Sequence, residues 1–148
     1  MKVAVGSDHA GYPAKLKAIG VLRQLGCEID DVGTHSAEAS CDYPDFAVEV
    51  ARRVAGKRAD RGVLCCGTGI GMSIAANKVP GVRAALCYND FTTEMARRHN
   101  DANILCLGAR TLDDRAIEDI VRRFLRTPFD GGRHSRRLKK IADIQRCP

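Results

Sequence analysis

The sequence predicts an α/β protein with three layers, in which helices cover both faces of a five-stranded parallel sheet of the Rossmann-like class. Short apolar segments alternate with longer segments of helical periodicity along the chain. The apolar segments show little polar alternation, which is typical of parallel strands buried on both faces. The length of 148 residues favours one domain, residues 1–148.

Five segments are predicted as strands because they are short, largely apolar and followed by turn residues: Lys2–Gly6, Glu28–Val32, Gly62–Cys66, Arg83–Cys87 and Ile104–Leu107. Six segments are predicted as helices from their apolar periodicity and from glycine or proline near their ends: Pro13–Leu25, Asp45–Ala55, Gly71–Lys78, Phe91–Arg98, Asp113–Arg126 and Arg133–Gln145. The last helix carries only a thin apolar stripe and has no further strand to cover. We therefore expect it to pack on a second copy of the chain, in a homodimer.

The most informative segment is the predicted strand that ends at Cys66 and opens on Gly67-Thr-Gly-Ile-Gly71. A glycine-rich turn before a helix leaves backbone N–H groups free and directs them, with the positive helix end, at one position. The same partial charges favour the thiolate of Cys66 over the thiol. A thiolate beside an anion site is the arrangement of an active site.

A dinucleotide-binding loop and a phosphate-binding Walker loop are the alternative interpretations of this glycine-rich turn. The turn is one residue short of the dinucleotide-binding spacing and follows the third strand instead of the first, although Asp90 lies near the place of a ribose-binding acid. A nicotinamide cofactor is therefore disfavoured. A Walker loop is excluded because no Gly-Lys-Ser or Gly-Lys-Thr occurs.

Polar residues follow most of the predicted strands. Asp8 and His9 follow the first strand, and Arg110 follows the fifth. Because ligands of open parallel sheets bind at the carboxyl ends of the strands, we expect these side chains to meet Cys66 at one edge. A helix cap is the alternative role for Asp8.

The seven cysteines predict neither a disulfide framework nor a metal site, because they are scattered and no Cys-x-x-Cys pair occurs: Cys27, Cys41, Cys65, Cys66, Cys87, Cys106 and Cys147. Cys87 and Cys106 are expected to be small buried apolar residues. Cys65 is expected in the core, since neighbouring strand residues point to opposite faces.

The net charge of +6 comes largely from late arginine-rich segments. Solvated helix faces account for most of these charges, including Arg136, Lys139 and Lys140. Arg133 and Arg137 lie four apart and can hold one phosphate between them. A nucleic-acid-binding surface is disfavoured, because the basic segments have no interleaved aromatic residues and no known nucleic-acid-binding motif. The chain shows neither a signal peptide nor a membrane span, so a cytoplasmic protein with no membrane partner is expected.

Several motifs occur together and in order along the chain: Gly6-Ser-Asp-His-Ala-Gly11, Asp42-Tyr-Pro-Asp45, Cys66-Gly-Thr-Gly-Ile-Gly71 with Ile74-Ala-Ala-Asn-Lys78, His99-Asn-Asp-Ala-Asn103 and Gly131-Gly-Arg-His134. In this combination the chain resembles the type B ribose-5-phosphate isomerase family, which also contains allose- and galactose-6-phosphate isomerases. The resemblance implies an aldose–ketose isomerase of the pentose phosphate pathway that works through an enediolate, without metal or cofactor.

The resemblance also implies residue roles. Cys66 would be the base, His99 the acid for ring opening, and Asp8 with His9 the contacts to sugar hydroxyls. The amides of the turn would hold the enediolate oxygen together with Thr68. The remaining implied substrate contacts are Tyr43, Gly67, Gly69, Ile70, Gly71, Asn100, Arg110, Arg133, His134 and Arg137. In the family the site lies between two subunits, so a homodimer is expected, with a dimer of dimers as a further option.

Two departures from the family pattern bear on chemistry. One family branch has a glutamate base at the position of Met72, so this chain belongs with the cysteine branch. The loop Thr34–Cys41 is about one residue longer than usual and leads to Tyr43, which leaves a six-carbon sugar phosphate open as substrate. A non-catalytic phosphosugar-binding module is the remaining alternative, and the joint presence of Cys66 and His99 argues against it.

Overall fold

All five strands form one parallel sheet in the order β2-β1-β3-β5-β4. The computed structural model describes residues 1–144, so Cys147 and the predicted helix end at Gln145 lie outside it. The strands are β1 (Lys2–Ser7), β2 (Glu28–Asp31), β3 (Arg61–Cys66), β4 (Ala84–Leu86) and β5 (Ile104–Gly108). The predicted fold class is confirmed.

The helices are α1 (Tyr12–Gln24), α2 (Tyr43–Ala55), α3 (Ile70–Ala76), α4 (Asp90–Arg98), α5 (Asp114–Arg126) and α6 (Arg133–Ile144). One sheet face packs against α1, α4 and α5, and the other against α2 and α3. Helix α6 follows α5 and carries Ile141 and Ile144 with 44% and 72% of their surface exposed. Within residues 1–144, every helix is too short or too polar to cross a membrane.

Neighbouring residues of β3 enter opposite halves of the core. Val63 and Cys65 pack on the α1 and α5 side, whereas Leu64 and Cys66 pack on the α2 and α3 side. Burial raises the pKa of the Cys65 thiol. Its expected place in the core is confirmed.

Two local expectations were wrong. Helix α2 begins at Tyr43, two residues before the predicted start, because Pro44 fits the first helical turn and does not interrupt it. Arg97 belongs to the late arginine-rich segments, whose charges were expected to be mostly solvated. It is buried instead, and its guanidinium pairs with Asp101 at 2.8 Å. It also packs over the ring of Phe124.

Lys15 of α1 is a fully buried cation. Its Nζ donates to both carboxylate oxygens of Asp31, at 2.9 Å each, and to the carbonyl oxygen of Thr34 at 2.6 Å. These bonds tie α1 to the end of β2 and to the loop that follows. A buried charge is tolerated only with such partners, so Lys15 fixes where that loop begins.

Replacing Lys15 by methionine keeps the apolar stem and removes the charge. Asp31 and the Thr34 carbonyl then lose their donor, and we expect the free energy of unfolding to fall by about 2–4 kcal/mol. Urea denaturation measures this. The control is Lys17→Met, which removes an exposed ion pair to Asp114 and is expected to leave stability unchanged. Equal stability of the two variants would contradict the role given to Lys15.

Candidate active site

The glycine turn after β3 is built around a hydrogen bond to the cysteine sulfur. Gly69 adopts a φ of +78° and donates its backbone N–H to Cys66 Sγ over 3.1 Å. A Cβ atom at Gly69 would lie 2.5 Å from a methyl carbon of Leu86 and 3.0 Å from the Leu107 backbone. Only glycine therefore fits this position, and its N–H is directed at the sulfur.

The turn is held from two sides by the segment that follows β5. Ala109 donates its N–H to the carbonyl of Cys66 and Arg110 donates to that of Gly67, both over 2.9 Å. The guanidinium of Arg110 lies against Gly67, where a Cβ atom would be 3.4 Å away. Arg110 is exposed, so a cation stands beside the turn and is open to solvent.

Tyr43 covers the other end of the turn. It is the first residue of α2, and its ring comes so near Gly71 that a Cβ atom there would be 2.6 Å from the ring carbon Cζ. Thr68 and Ile70 are exposed on the outer side of the turn. The rim of the site is therefore formed by Tyr43, Thr68 and Ile70.

Asp8 and His9 lie at the end of β1, beside β3. Asp8 is buried, and its Oδ1 accepts the N–H of Gly11 over 2.8 Å, which is the cap-like role considered as an alternative. His9 is half-buried, and its Nδ1 accepts the backbone N–H of Cys41 over 3.3 Å. The structure therefore brings a first set of predicted residues together at the carboxyl edge of the sheet. We name this set the carboxyl-edge group: Asp8, His9, Tyr43, Cys66, Gly67, Thr68, Gly69, Ile70, Gly71 and Arg110.

The other predicted residues lie at the opposite, amino edge. Helix α4 returns the chain across the sheet to His99, and Asn103 then accepts the N–H of Gly62 at the start of β3 over 2.9 Å. Cys66 lies four residue steps along the strand from Gly62, which is about 13 Å. We name this second set the amino-edge group: His99, Asn100, Arg133, His134 and Arg137. One chain therefore does not bring all the predicted site residues together.

His99 and His134 stack face to face, with ring centroids 4.2 Å apart and planes 7° from parallel. This contact joins the end of α4 to the first turn of α6. Burial lowers the pKa of His134, and the positive charges of His99, Arg133 and Arg137 lower it further, while Asp130 opposes them. A neutral His134 is therefore favoured.

His99, Asp130 and His134 also place one ligand atom each within 4.8 Å of one another, which raises the question of a metal ion. An ion bound by an imidazole lies in the plane of that ring. Parallel stacked rings direct their lone pairs along separate parallel planes, so one ion cannot lie in both. Asp130 is already paired with Arg98. The cluster therefore fits a metal ion poorly.

An apolar groove of about 470 Å³ lies beside the amino-edge group. Helix α6 forms one wall with Leu138, Ile141 and Ile144, and the segment around β4 forms the other with Val82, Ala84 and Ala85. Asn100 lines it as well. We name it the β4–α6 groove. The expected apolar stripe of α6 therefore remains open in a single chain.

Two asparagines and a cysteine shape the site without having been singled out from the sequence. The side chain of Asn77 bonds to both backbone groups of Ala84, and that of Asn103 bonds to the N–H of Arg83. They fix the end of α3 and the approach to β5. Both asparagines stand in the motifs that carry the family resemblance, and this was the sequence signal for their importance. Nothing in the sequence marked Cys41, which contacts His9.

The chain is similar to proteins of one family over nearly all its length. The family model described as Ribose/Galactose Isomerase matches residues 3–141. The solved ribose-5-phosphate isomerase B of Clostridium thermocellum is 50% identical, has a TM-score of 0.96, and the match covers 99% of this chain and 98% of that chain. Ribose-5-phosphate isomerase B of Escherichia coli K12 is 42% identical over 97% of this chain and 96% of its own.

A ligand-bound structure is also similar. Ribose-5-phosphate isomerase B of Mycoplasma genitalium, solved with ribulose-5-phosphate bound, is 40% identical with a TM-score of 0.95. The match covers 99% of this chain and 97% of that chain.

The lowered pKa of His134 predicts an acid-sensitive fold. As pH falls below the ordinary value of 6.5, the unfolded chain takes up a proton at His134 before the folded chain does, so the folded state loses stability. His134→Phe keeps a ring on His99 and removes this titration. We expect its free energy of unfolding to fall less than that of the wild type between about pH 7.5 and about pH 5.5.

Urea denaturation across this range is the measurement. His35→Phe is the matched control, because His35 lies exposed in a loop, and it is expected to follow the wild-type pH dependence. The same pH slope in His134→Phe and in the wild type would contradict the burial effect.

Proposed function

The chain belongs to the ribose/galactose isomerase family, and from this membership we propose that it interconverts D-ribose 5-phosphate and D-ribulose 5-phosphate with Cys66 as the base. It is an aldose–ketose isomerase acting on a sugar phosphate. The choice of a five-carbon substrate rests on the relatives named ribose-5-phosphate isomerase B. The observation that carries the mechanism is the Cys66 sulfur, which accepts the Gly69 N–H inside a turn of backbone donors.

The reaction moves one proton between two carbons. The Cys66 thiolate removes the proton from C2, the C2 electrons form a double bond to C1, and the C1 oxygen becomes negative. The protonated sulfur then returns a proton to C1, and the proton of the C2 hydroxyl ends on the C1 oxygen. The amides of the Gly67–Gly71 turn and the Thr68 hydroxyl stabilise the oxyanion that develops between these steps.

The cations are suited to the phosphate end of the substrate. Arg133 and Arg137 are exposed on successive turns of α6, and neither pairs with an acidic side chain among residues 1–144. Arg110 beside the turn is likewise exposed. A guanidinium can bind a phosphate through paired hydrogen bonds, and holding the phosphate fixes C1 and C2 relative to the base. Asn100 and Tyr43 complete the proposed contacts.

The separation of the two residue groups supports a homodimer as the active species. His99 cannot act on a sugar held at Cys66 of the same chain, because the two residues lie at opposite ends of the strands, about 13 Å apart. A second copy can present its amino-edge group to the carboxyl-edge group of the first. In a two-fold dimer the exchange is mutual, so two complete sites form.

Exposed apolar residues support the same arrangement. Ile70, at the end of the glycine turn, and Ile74, one helical turn later, lie on one face of α3 and are 52% and 57% exposed. The β4–α6 groove adjoins the amino-edge group. If the α3 face with Ile70 and Ile74 packed into the β4–α6 groove of the partner, both apolar surfaces would be buried. The same contact would bring His99 of the partner subunit toward Cys66. Whether two such dimers associate further stays a prediction.

A six-carbon sugar phosphate is the second candidate substrate, because the loop Thr34–Cys41 leads to Tyr43 at the rim. The same base and phosphate contacts would serve an allose or galactose 6-phosphate. Comparison of kcat/KM between ribose 5-phosphate and these two sugars decides the preference.

The first test is ribulose 5-phosphate formation from ribose 5-phosphate in EDTA. We expect wild-type turnover and a loss of at least about a hundredfold in kcat for Cys66→Ala, because the proton-transfer base is gone. Cys65→Ala is the matched control, since Cys65 lies on the other face of the same strand. Full activity of Cys66→Ala would exclude the proposed base. Activity confined to six-carbon sugars would correct the substrate alone.

The shared site is tested by mixing two inactive variants, Cys66→Ala and His99→Ala. After joint unfolding and refolding, half of the dimers contain one chain of each kind, and each mixed dimer has one intact site. The mixture is expected to regain about a quarter of the wild-type activity. Each variant refolded alone is the control. No recovery in a mixture shown to contain mixed dimers would mean that the two residues act within one chain.

A further inference from the structure

We propose that the loop Thr34–Cys41 sets the tautomer of His9 through the backbone N–H of Cys41, so that the neutral ring carries its proton on Nε2. His9 then presents an N–H donor to the sugar phosphate. The donation to a sugar phosphate rests on the proposed function, whereas the tautomer of His9 is a property of the free protein. Cys41 is thereby a positioning residue for a substrate contact.

The contact itself determines the proton position. The backbone nitrogen of Cys41 lies 3.3 Å from His9 Nδ1 and donates its hydrogen to it. A backbone amide can only donate, so Nδ1 must offer a lone pair. A neutral imidazole has one N–H, which is then on Nε2.

The thiol of Cys41 is a second candidate for the same role. Its Sγ lies 3.9 Å from the same nitrogen. A thiol is a weak donor and this distance is long, whereas the amide is the stronger donor and the nearer atom. The amide therefore carries the proposal, and the two can be separated by mutation.

The loop is anchored well enough to hold the amide in place. At its start, Thr34 donates its N–H to the carbonyl of Ser7 over 3.1 Å, and its own carbonyl accepts from the buried Lys15. In its middle, Ser36 Oγ accepts the N–H groups of Glu38 and Ala39. At its end, α2 begins two residues after Cys41. The loop therefore links the buried Lys15 to the ring of His9.

Holding the tautomer has a chemical consequence. None of the side chains or carbonyls that the structure describes accepts from His9 Nε2, and the residue is half-buried beside the buried Asp8. The Nε2–H group is therefore available to a hydroxyl or phosphate oxygen. A ring that exchanged freely between tautomers would present a donor for only part of the time.

Nitrogen NMR of the free protein tests the tautomer of His9 directly. In protein labelled with 15N at histidine, long-range proton–nitrogen spectra near neutral pH distinguish a protonated ring nitrogen from one with a lone pair. We expect His9 to show the Nε2–H tautomer, with its signals identified by their absence in His9→Gln. A predominant Nδ1–H tautomer would overturn the proposal.

Two variants separate the amide from the thiol. Cys41→Ala removes only the thiol and is expected to keep the Nε2–H pattern. Cys41→Pro removes the amide hydrogen as well, and we expect averaged tautomer signals. Because the averaged ring presents its Nε2–H donor for only part of the time, kcat/KM of Cys41→Pro is expected to fall by about twofold. Loss of the pattern in Cys41→Ala would assign the role to the thiol and overturn the proposal.

The outcomes are independent of the reaction assignment. Circular dichroism establishes whether Cys41→Pro folds, and if it does not, the spectra of the wild type and of Cys41→Ala still decide. An Nε2–H tautomer in a protein inactive on every sugar phosphate would leave the tautomer assignment standing and remove the proposed function. An active isomerase with the Nδ1–H tautomer would support the proposed function and overturn the tautomer assignment.

Discussion

The direction of the strands is the constraint on which the rest of the structure depends. In a parallel sheet every helix returns the chain to the starting edge, so residues at a strand end and residues at the end of the next helix lie on opposite edges. Cys66 ends β3, whereas His99 directly follows α4 and precedes β5. The fold therefore separates the proposed base from the proposed acid within one chain, whatever their side chains are.

Close packing around glycine residues holds the turn beside Cys66 in place. Gly69, Gly71 and Gly108 each lie so close to a neighbour that a Cβ atom would fall within 2.7 Å of it. The N–H of Gly69 is thereby held on the Cys66 sulfur by the surrounding strands and by Tyr43. Hydrogen-bond donors that are already in position need no reorganisation when negative charge develops on the substrate. Water molecules would have to reorient, so the turn stabilises that charge better than water does.

The sequence allowed the sheet, the glycine turn and the opposite faces of Cys65 and Cys66 to be predicted, because these follow from local patterns. It did not allow the burial of Lys15 and Arg97 to be predicted. Their stabilising contacts include residues distant in sequence, such as Asp31, Thr34 and Phe124. From sequence alone, a charged residue whose partners are distant in the chain cannot be distinguished from one that is exposed to solvent. The contact of Cys41 with His9 was missed for the same reason, since 32 positions separate them.

The proposed site also explains why the apolar surfaces lie where they do. Ile70 belongs to the carboxyl-edge group and Ile74 lies one helical turn beyond it, while the β4–α6 groove adjoins the amino-edge group. An association driven by burying these surfaces therefore brings the two groups together in the same step. A single chain would have a thiol and a turn of donors without an acid for ring opening. In the proposed dimer, the hydrophobic contact between the subunits would also complete the catalytic machinery, so activity would depend on association.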